Sequence, residues 1–177
     1  MQQMLANLRA RREDERGFTL IELMVVVLII AILIAIAIPT FLGAKTRAQD
    51  KAAQSSLRNG LTNAKGIYTD QDTYGATAAL VTSLTTAEPS LTFQTAASTT
   101  AKQVSVAASG VGVTPSWVVM TALSAGGNCY AIGDSSQFGT AFKVTTGASC
   151  DAATVGAGPA AIPTGNAVAN GSWASAW

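Results

Sequence analysis

One apolar block dominates the hydrophobic pattern of this chain. Residues 1–17, MQQMLANLRARREDERG, are polar; at Phe18 the chain turns apolar and stays so through Leu42, with sixteen apolar residues unbroken from Leu23 to Ile38. As a helix, residues 18–42 would measure about 37 Å, against about 30 Å for the hydrocarbon core of a bilayer. The helical pattern continues beyond the block. In residues 44–68, Ala44, Ala48 and Ala52, then Leu57, Leu61, Ala64 and Tyr68, recur every three to five positions, close to a helix period. The pattern predicts one helix from about Phe18 to about Tyr68, apolar all round in its first half and apolar on one stripe in its second. Pro39 and Gly43 fall in the middle, where a proline removes a backbone bond and bends or loosens the helix.

Beyond residues 69–75, TDQDTYG, the period changes. A Thr/Ser/Ala-rich stretch over 76–91 predicts loop with a short helix near Ala78 to Leu84. Short β-rich runs follow: LTFQT (91–95), QVSVAA (103–108), SWVVMTAL (116–123), CYAIGD (129–134) and TAFKVT (140–145). Turn residues at 126–128 and 134–139 separate the last three, and connections this short suit antiparallel strands. The stretch from about 151 to Trp177 is Ala/Gly/Pro-rich. It is either irregular and packed down through Trp173 and Trp177, or partly mobile.

Composition narrows the class. Eleven Lys+Arg balance ten Asp+Glu, charged residues make up only 12%, and there is no His. An average soluble protein has roughly 25% charged residues, so the profile suits a secreted or closely packed protein. A net charge near zero gives no field for nucleic acid. Lys45, Arg47, Lys51, Arg58 and Lys65 read as a solvated helix face, or as contacts between copies, rather than a DNA site. Asp134 and Asp151 are two isolated acids, short of a calcium cage. Without His, a Gly-rich phosphate loop or a nucleophile motif, the chain predicts no catalytic centre, metal or cofactor. Cys129 and Cys150 predict, in an exported chain, one disulfide closing a loop of about twenty residues; two buried free thiols are the alternative. Asn170-Gly171-Ser172 matches a glycosylation sequon, a common chance pattern.

The candidate chemistry lies at the head of the apolar block. Three readings compete for it: a secretory signal ending at the Ala35-Ile36-Ala37 pattern, a plain anchor, or a segment cut at its front and retained. Glu22 discriminates among them. A carboxylate in an apolar segment costs about 2.5–3.5 kcal/mol on insertion scales and needs a partner. A cut between Gly17 and Phe18 would create an amine one helical turn away, in surroundings of low dielectric where pairing is strong. Glu22 also suits the positive end of the helix dipole.

The stretch G-F-T-L-I-E-L-M at 17–24, followed by an unbroken apolar run and then a proline, resembles the class III leader junction of type IV prepilins and pseudopilins. The resemblance extends from about Arg16 to about Tyr74. It implies that Gly17 precedes the bond cut by a prepilin peptidase and that Phe18 becomes an N-methylated terminus. Glu22 would pair with the Phe18 amine of a neighbouring subunit. Pro39 and Gly43 would mark where the helix loosens on packing, and Cys129 and Cys150 would fasten the C-terminal region.

The expected fold is therefore α+β: a pilin-like lollipop whose long helix packs its second half on a small antiparallel sheet. The expected organisation is a leader (1–17), an apolar transmembrane or filament-core helix (18–42), an amphipathic half with its connection (43–74) and a β domain (75–177). The chain reads as a structural subunit of an extracellular type IV pilus. Its expected partners are copies of itself, prepilin peptidase, the inner-membrane assembly machinery and, before assembly, the membrane, with the N-terminus cytoplasmic. The alternatives are a pseudopilin of a type II secretion-like system, or a monomeric secreted binding domain whose signal ends at Ala37.

Overall fold

The computed structural model describes residues 17–109, 116–137, 139–146, 150–155 and 173–177. Residues 1–16 of the expected leader and the sequon at 170–172 lie outside them. The elements, in chain order, are α1 (Leu20–Gln71), α2 (Thr77–Ala87), β1 (Thr92–Gln94), β2 (Gln103–Ser109), β3 (Trp117–Leu123), β4 (Asn128–Ser135), β5 (Gly139–Thr146) and a single turn, α3 (Ala152–Val155). This is the α+β arrangement expected, a long N-terminal helix followed by a five-stranded, mostly antiparallel sheet. The chain divides into two compact units, Met1–Ala44 and Lys45–Trp177.

In the first unit, the large apolar side chains of α1 up to Leu42 are all exposed, from 48% at Ile30 to 75% at Leu20. A helix that is apolar all round needs lipid or other protein around it. It is long and apolar enough to cross a membrane. Pro39 and Gly43 do not end it; α1 runs through both. Proline lacks the N–H that would bond the carbonyl one turn back. Beside it, the Thr40 hydroxyl donates to the carbonyl of Ala37 at 2.9 Å.

In the second unit, α1 buries Ala53, Leu57, Gly60, Leu61 and Ala64, the i, i+4, i+7, i+8 and i+11 positions that share one face of a helix. This corrects the expected stripe: Ala44, Ala48 and Ala52 are exposed, and the buried face begins at Ala53. Alanine offers too little apolar area for pattern alone to choose a face; the bulk of Leu57 and Leu61 sets it. Gly60 permits a close approach, since a Cβ there would stand 3.1 Å from both Met120 Sδ and Phe93 Cε1. The helix ends at Asp72, whose φ of 54° is left-handed and whose N–H donates to the Tyr68 carbonyl at 2.7 Å, a helix stop that Asp tolerates better than most residues.

The sheet order follows the chain, β1-β2-β3-β4-β5. Strands β2 to β5 form an antiparallel meander, with Met120 opposite Val106 and Ile132, and Ile132 opposite Phe142. β1 departs from the antiparallel expectation, pairing parallel to β2 with Thr92 opposite Gln103. Parallel strands usually need a dozen or more connecting residues. Here β1 has only three, so residues 95–102 have only about 10 Å of strand to retrace. Both sheet faces are covered. Val104, Val106, Val118, Met120, Ala122 and Ile132 form the main core with Leu57, Leu61, Leu80, Leu84 and Phe93. On the other face Ala107, Val119, Ala131 and Ala141 pack with Ala152 and Trp173.

Two clamps close the unit. Cys129 and Cys150 form a disulfide with Cα atoms 5.4 Å apart, and the Cys150 carbonyl accepts from the Thr121 hydroxyl and the Ser98 N–H. At the end of the chain, Ala174 exchanges two backbone bonds with Phe142, covering the outer edge of β5 there. Trp173 packs on the outer sheet face, whereas Trp177 meets Tyr130 and Phe142 edge-on in the inner cluster. Of the two states left open for the end of the chain, residues 173–177 adopt the packed one.

Candidate functional site

The head of α1 is built by local chemistry. Gly17, Phe18 and Thr19 precede the helix and are exposed, Phe18 at 87%. Among the described residues, a side chain added at Gly17 would meet no atom within 4 Å, and the Gly17–Phe18 peptide bond lies on non-helical backbone. The first helical bond runs from Leu23 N–H to the Thr19 carbonyl, which makes Thr19 the N-cap. Its N–H and hydroxyl both donate to Glu22 Oε2, at 3.1 and 2.9 Å, and Glu22 N–H donates to Thr19 Oγ1 at 3.2 Å. That reciprocal pattern is a capping box. It satisfies two N–H groups that a helix start otherwise leaves unpaired and fixes where the Glu22 carboxylate stands.

Reading the sequence for a charge partner of Glu22 overlooked Thr19, although T-L-I-E before an apolar run is the signature of a capping box. Of the residues singled out from sequence, Gly17, Phe18 and Glu22 meet at this junction. Pro39 and Gly43 lie further along the same helix, and the Cys129–Cys150 disulfide belongs to the β domain.

Two carboxylates of the second unit, the buried Asp134 and the half-buried Asp50, hold α1 against the sheet. Asp134 is buried; it accepts from the Tyr74 and Thr140 hydroxyls and pairs with Lys65 Nζ at 2.8 Å. Burial and the adjacent Asp134 push the Tyr74 hydroxyl far above the ordinary tyrosine range. Asp50 accepts from the Ser124 hydroxyl at 2.6 Å and from Asn128 Nδ2 at 3.5 Å, gripping the β3–β4 turn. Burial first, and the Asp50 charge second, raise the Tyr130 hydroxyl. Asp151 instead starts α3, accepting from Ala153 N–H at 3.0 Å. Among the described residues, no three His, Cys, Asp or Glu side chains gather as metal ligands would.

Comparison with known families decides how the head of the helix is to be understood. The prokaryotic N-terminal methylation motif matches residues 13–38. The chain carries that motif. It is the class III leader of type IV pilins, and it supports a type IV pilin or pseudopilin-like precursor. The motif points to a structural protein, implies processing by prepilin peptidase and pilus assembly, and fits a membrane-anchored precursor. No curated protein and no solved structure matches the chain.

Proposed function

We propose that the chain is the structural subunit of an extracellular type IV pilus, cut after Gly17, methylated at Phe18 and assembled through α1. The observation that carries this reading is the wholly exposed apolar surface of residues 18–42, headed by a single ordered carboxylate at Glu22. Before assembly that surface is satisfied by lipid. In a filament it is satisfied by copies of itself, and lateral burial at about 25 cal/mol per Å² supplies most of the cohesion. Contacts that repeat without closing produce a fibre rather than a ring.

Cleavage releases a positive amine at Phe18, one residue before the cap. The Thr19 amide and hydroxyl survive the cut, so Glu22 enters assembly already oriented. Pairing Glu22 with the Phe18 amine of a neighbouring copy neutralises two charges that are costly in apolar surroundings. It also sets the axial register of adjacent helices. Pro39 and Gly43 provide the segment where α1 can loosen as copies pack.

Mass spectrometry of protein sheared from cells tests the reading. A methylated chain beginning at Phe18, recovered from filaments seen by electron microscopy, is the expected result. A mature chain beginning at Ile38 would mean that residues 1–37 act as an ordinary secretory signal.

A further inference from the structure

The charges on the solvent side of the second half of α1 are segregated along its length. Asp50 and Asp134 are engaged inward, by Ser124 and Asn128 and by Tyr74, Thr140 and Lys65 respectively. Exposed charges are basic in the upper stretch, with Lys45, Arg47, Lys51 and Arg58, and acidic at the far end, with Asp70 and Asp72; Lys65 between them is paired with Asp134. Lys51, Gln54, Ser55, Arg58 and Asn59 line a shallow cleft of about 300 Å³. Its two cations are held in place: Lys51 Nζ donates to Gln54 Oε1 at 3.1 Å, and the Arg58 guanidinium lies 5.3 Å from the ring centre of Trp177. Stacking uses the flat face of a guanidinium and leaves its edge N–H groups for a carboxylate.

We infer that this cleft receives the Asp70–Asp72 end of α1 from a second copy of the chain, displaced along the filament axis. The inference rests on the filament reading above, in which all copies leave one membrane pointing the same way. Parallel copies in axial register would set like charges side by side, which costs up to several kcal/mol at an interface. Displacement by the 12 to 25 residues that separate Arg58 and Lys45 from Asp70, about 18 to 38 Å of helix, brings opposite charges together. The same helix thus carries both halves of a contact that favours stagger. Nucleic acid fits less well, because Asp70 on the same helix and Asp72 just beyond it repel phosphate.

The test reverses charge at each end in the full-length chain. Lys45→Glu with Lys51→Glu leaves the Arg58 stack intact, and Asp70→Lys with Asp72→Asn alters exposed side chains while keeping at position 72 a residue that tolerates the left-handed φ of 54°. Each double variant should lower filament yield about tenfold or more, whereas the chain carrying all four substitutions should recover to within about twofold of wild type. Wild-type yields from either double variant would overturn the inference, and so would a four-fold variant no better than the doubles. Duplex DNA binding that disappears in K45E/K51E while filaments persist would reassign the cleft to nucleic acid. Absence of filaments from the wild-type chain would instead remove the reading on which the inference rests.

Discussion

Thr19 and Glu22 hold each other at the start of α1: two donors of Thr19 converge on one carboxylate oxygen, and the Glu22 amide returns a bond to the Thr19 hydroxyl. The cap at Glu22 and the charge pairing proposed for it can be separated by substitution. Glu22→Gln keeps a side-chain acceptor for the cap but removes the charge. Thr19→Ala weakens the cap by about 1 kcal/mol but leaves the charge. If charge pairing drives assembly, Glu22→Gln should be processed normally yet give about tenfold fewer filaments, while Thr19→Ala stays within about threefold of wild type. Equal yields from Glu22→Gln and wild type would reduce Glu22 to a capping residue.

The long helix and all five strands were legible because their signals are local and strong. The unbroken apolar run, the 3.6-residue recurrence around Leu57 and Leu61, and the turns at 126–128 and 134–139 each mark an element. The direction of β1 was not legible, since three residues carry no sign of which neighbour they will join. Nor were the partners of Asp134, because Tyr74 and Lys65 reach it across 60 and 69 positions of chain, a closure that no spacing rule encodes. Thr19 is a different matter: T-L-I-E at 19–22 carries the capping-box signature in the sequence itself.

Gly60 sits where helix propensity and packing oppose each other. Alanine in a helix interior is favoured over glycine by up to about 1 kcal/mol. The new Cβ, however, would press on the buried Phe93 ring and on Met120 Sδ, both 3.1 Å away. Met120 can yield but Phe93, held in the core, cannot easily do so. Overpacking at about 1–3 kcal/mol should win, so Gly60→Ala lowers the midpoint of thermal unfolding, measured on the detergent-solubilised chain. A raised midpoint would show that the helix and β1 can separate without penalty.

The Cys129–Cys150 bond closes a loop of 21 residues. On the chain-entropy account it contributes about 3 kcal/mol, by restricting the unfolded chain. Cys150→Ser should therefore lower the melting temperature by about 10 °C, with the sheet retained by circular dichroism. Melting at the wild-type temperature would mean that the neighbouring bonds of Ser98 and Thr121 to the Cys150 carbonyl suffice without it.

Tyr74 makes stability depend on alkaline pH. An unfolded tyrosine ionises near its ordinary value of 10.0, whereas burial and Asp134 hold the folded Tyr74 protonated well above that. Above about pH 10 the unfolded state thus binds fewer protons than the folded one, and stability falls as pH rises, by up to about 1.4 kcal/mol per pH unit from this group. Below pH 10 both states are protonated and the contribution is complete. Tyr74→Phe removes the ionisation together with one donor to Asp134. It should cost about 1–3 kcal/mol at neutral pH and flatten the decline between pH 10 and 12, as measured by urea unfolding across that range. A variant that loses stability with the same alkaline slope as wild type would place the titrating group elsewhere, with the buried Tyr130 the next to examine.

Gly17 offers a way to probe the processing enzyme without disturbing the fold. Among the described residues a Cβ there meets nothing within 4 Å, and the residue lies outside the helix. Gly17→Val should therefore leave the helix cap and the β domain unchanged, and any effect must arise where another protein surrounds this backbone. The expected outcome is a precursor that stays uncut and membrane-bound, visible as a larger band on denaturing gels, with the Cys129–Cys150 bond formed as in wild type. Because the Phe18 amine never appears, under the proposed pairing Glu22 is left without it, and filaments should be absent even though the carboxylate is intact. Normal processing of Gly17→Val would move the cut away from the Gly17–Phe18 bond. An uncut chain that still formed filaments would show that assembly needs no free amine at Phe18, and the charge pair would lose its role.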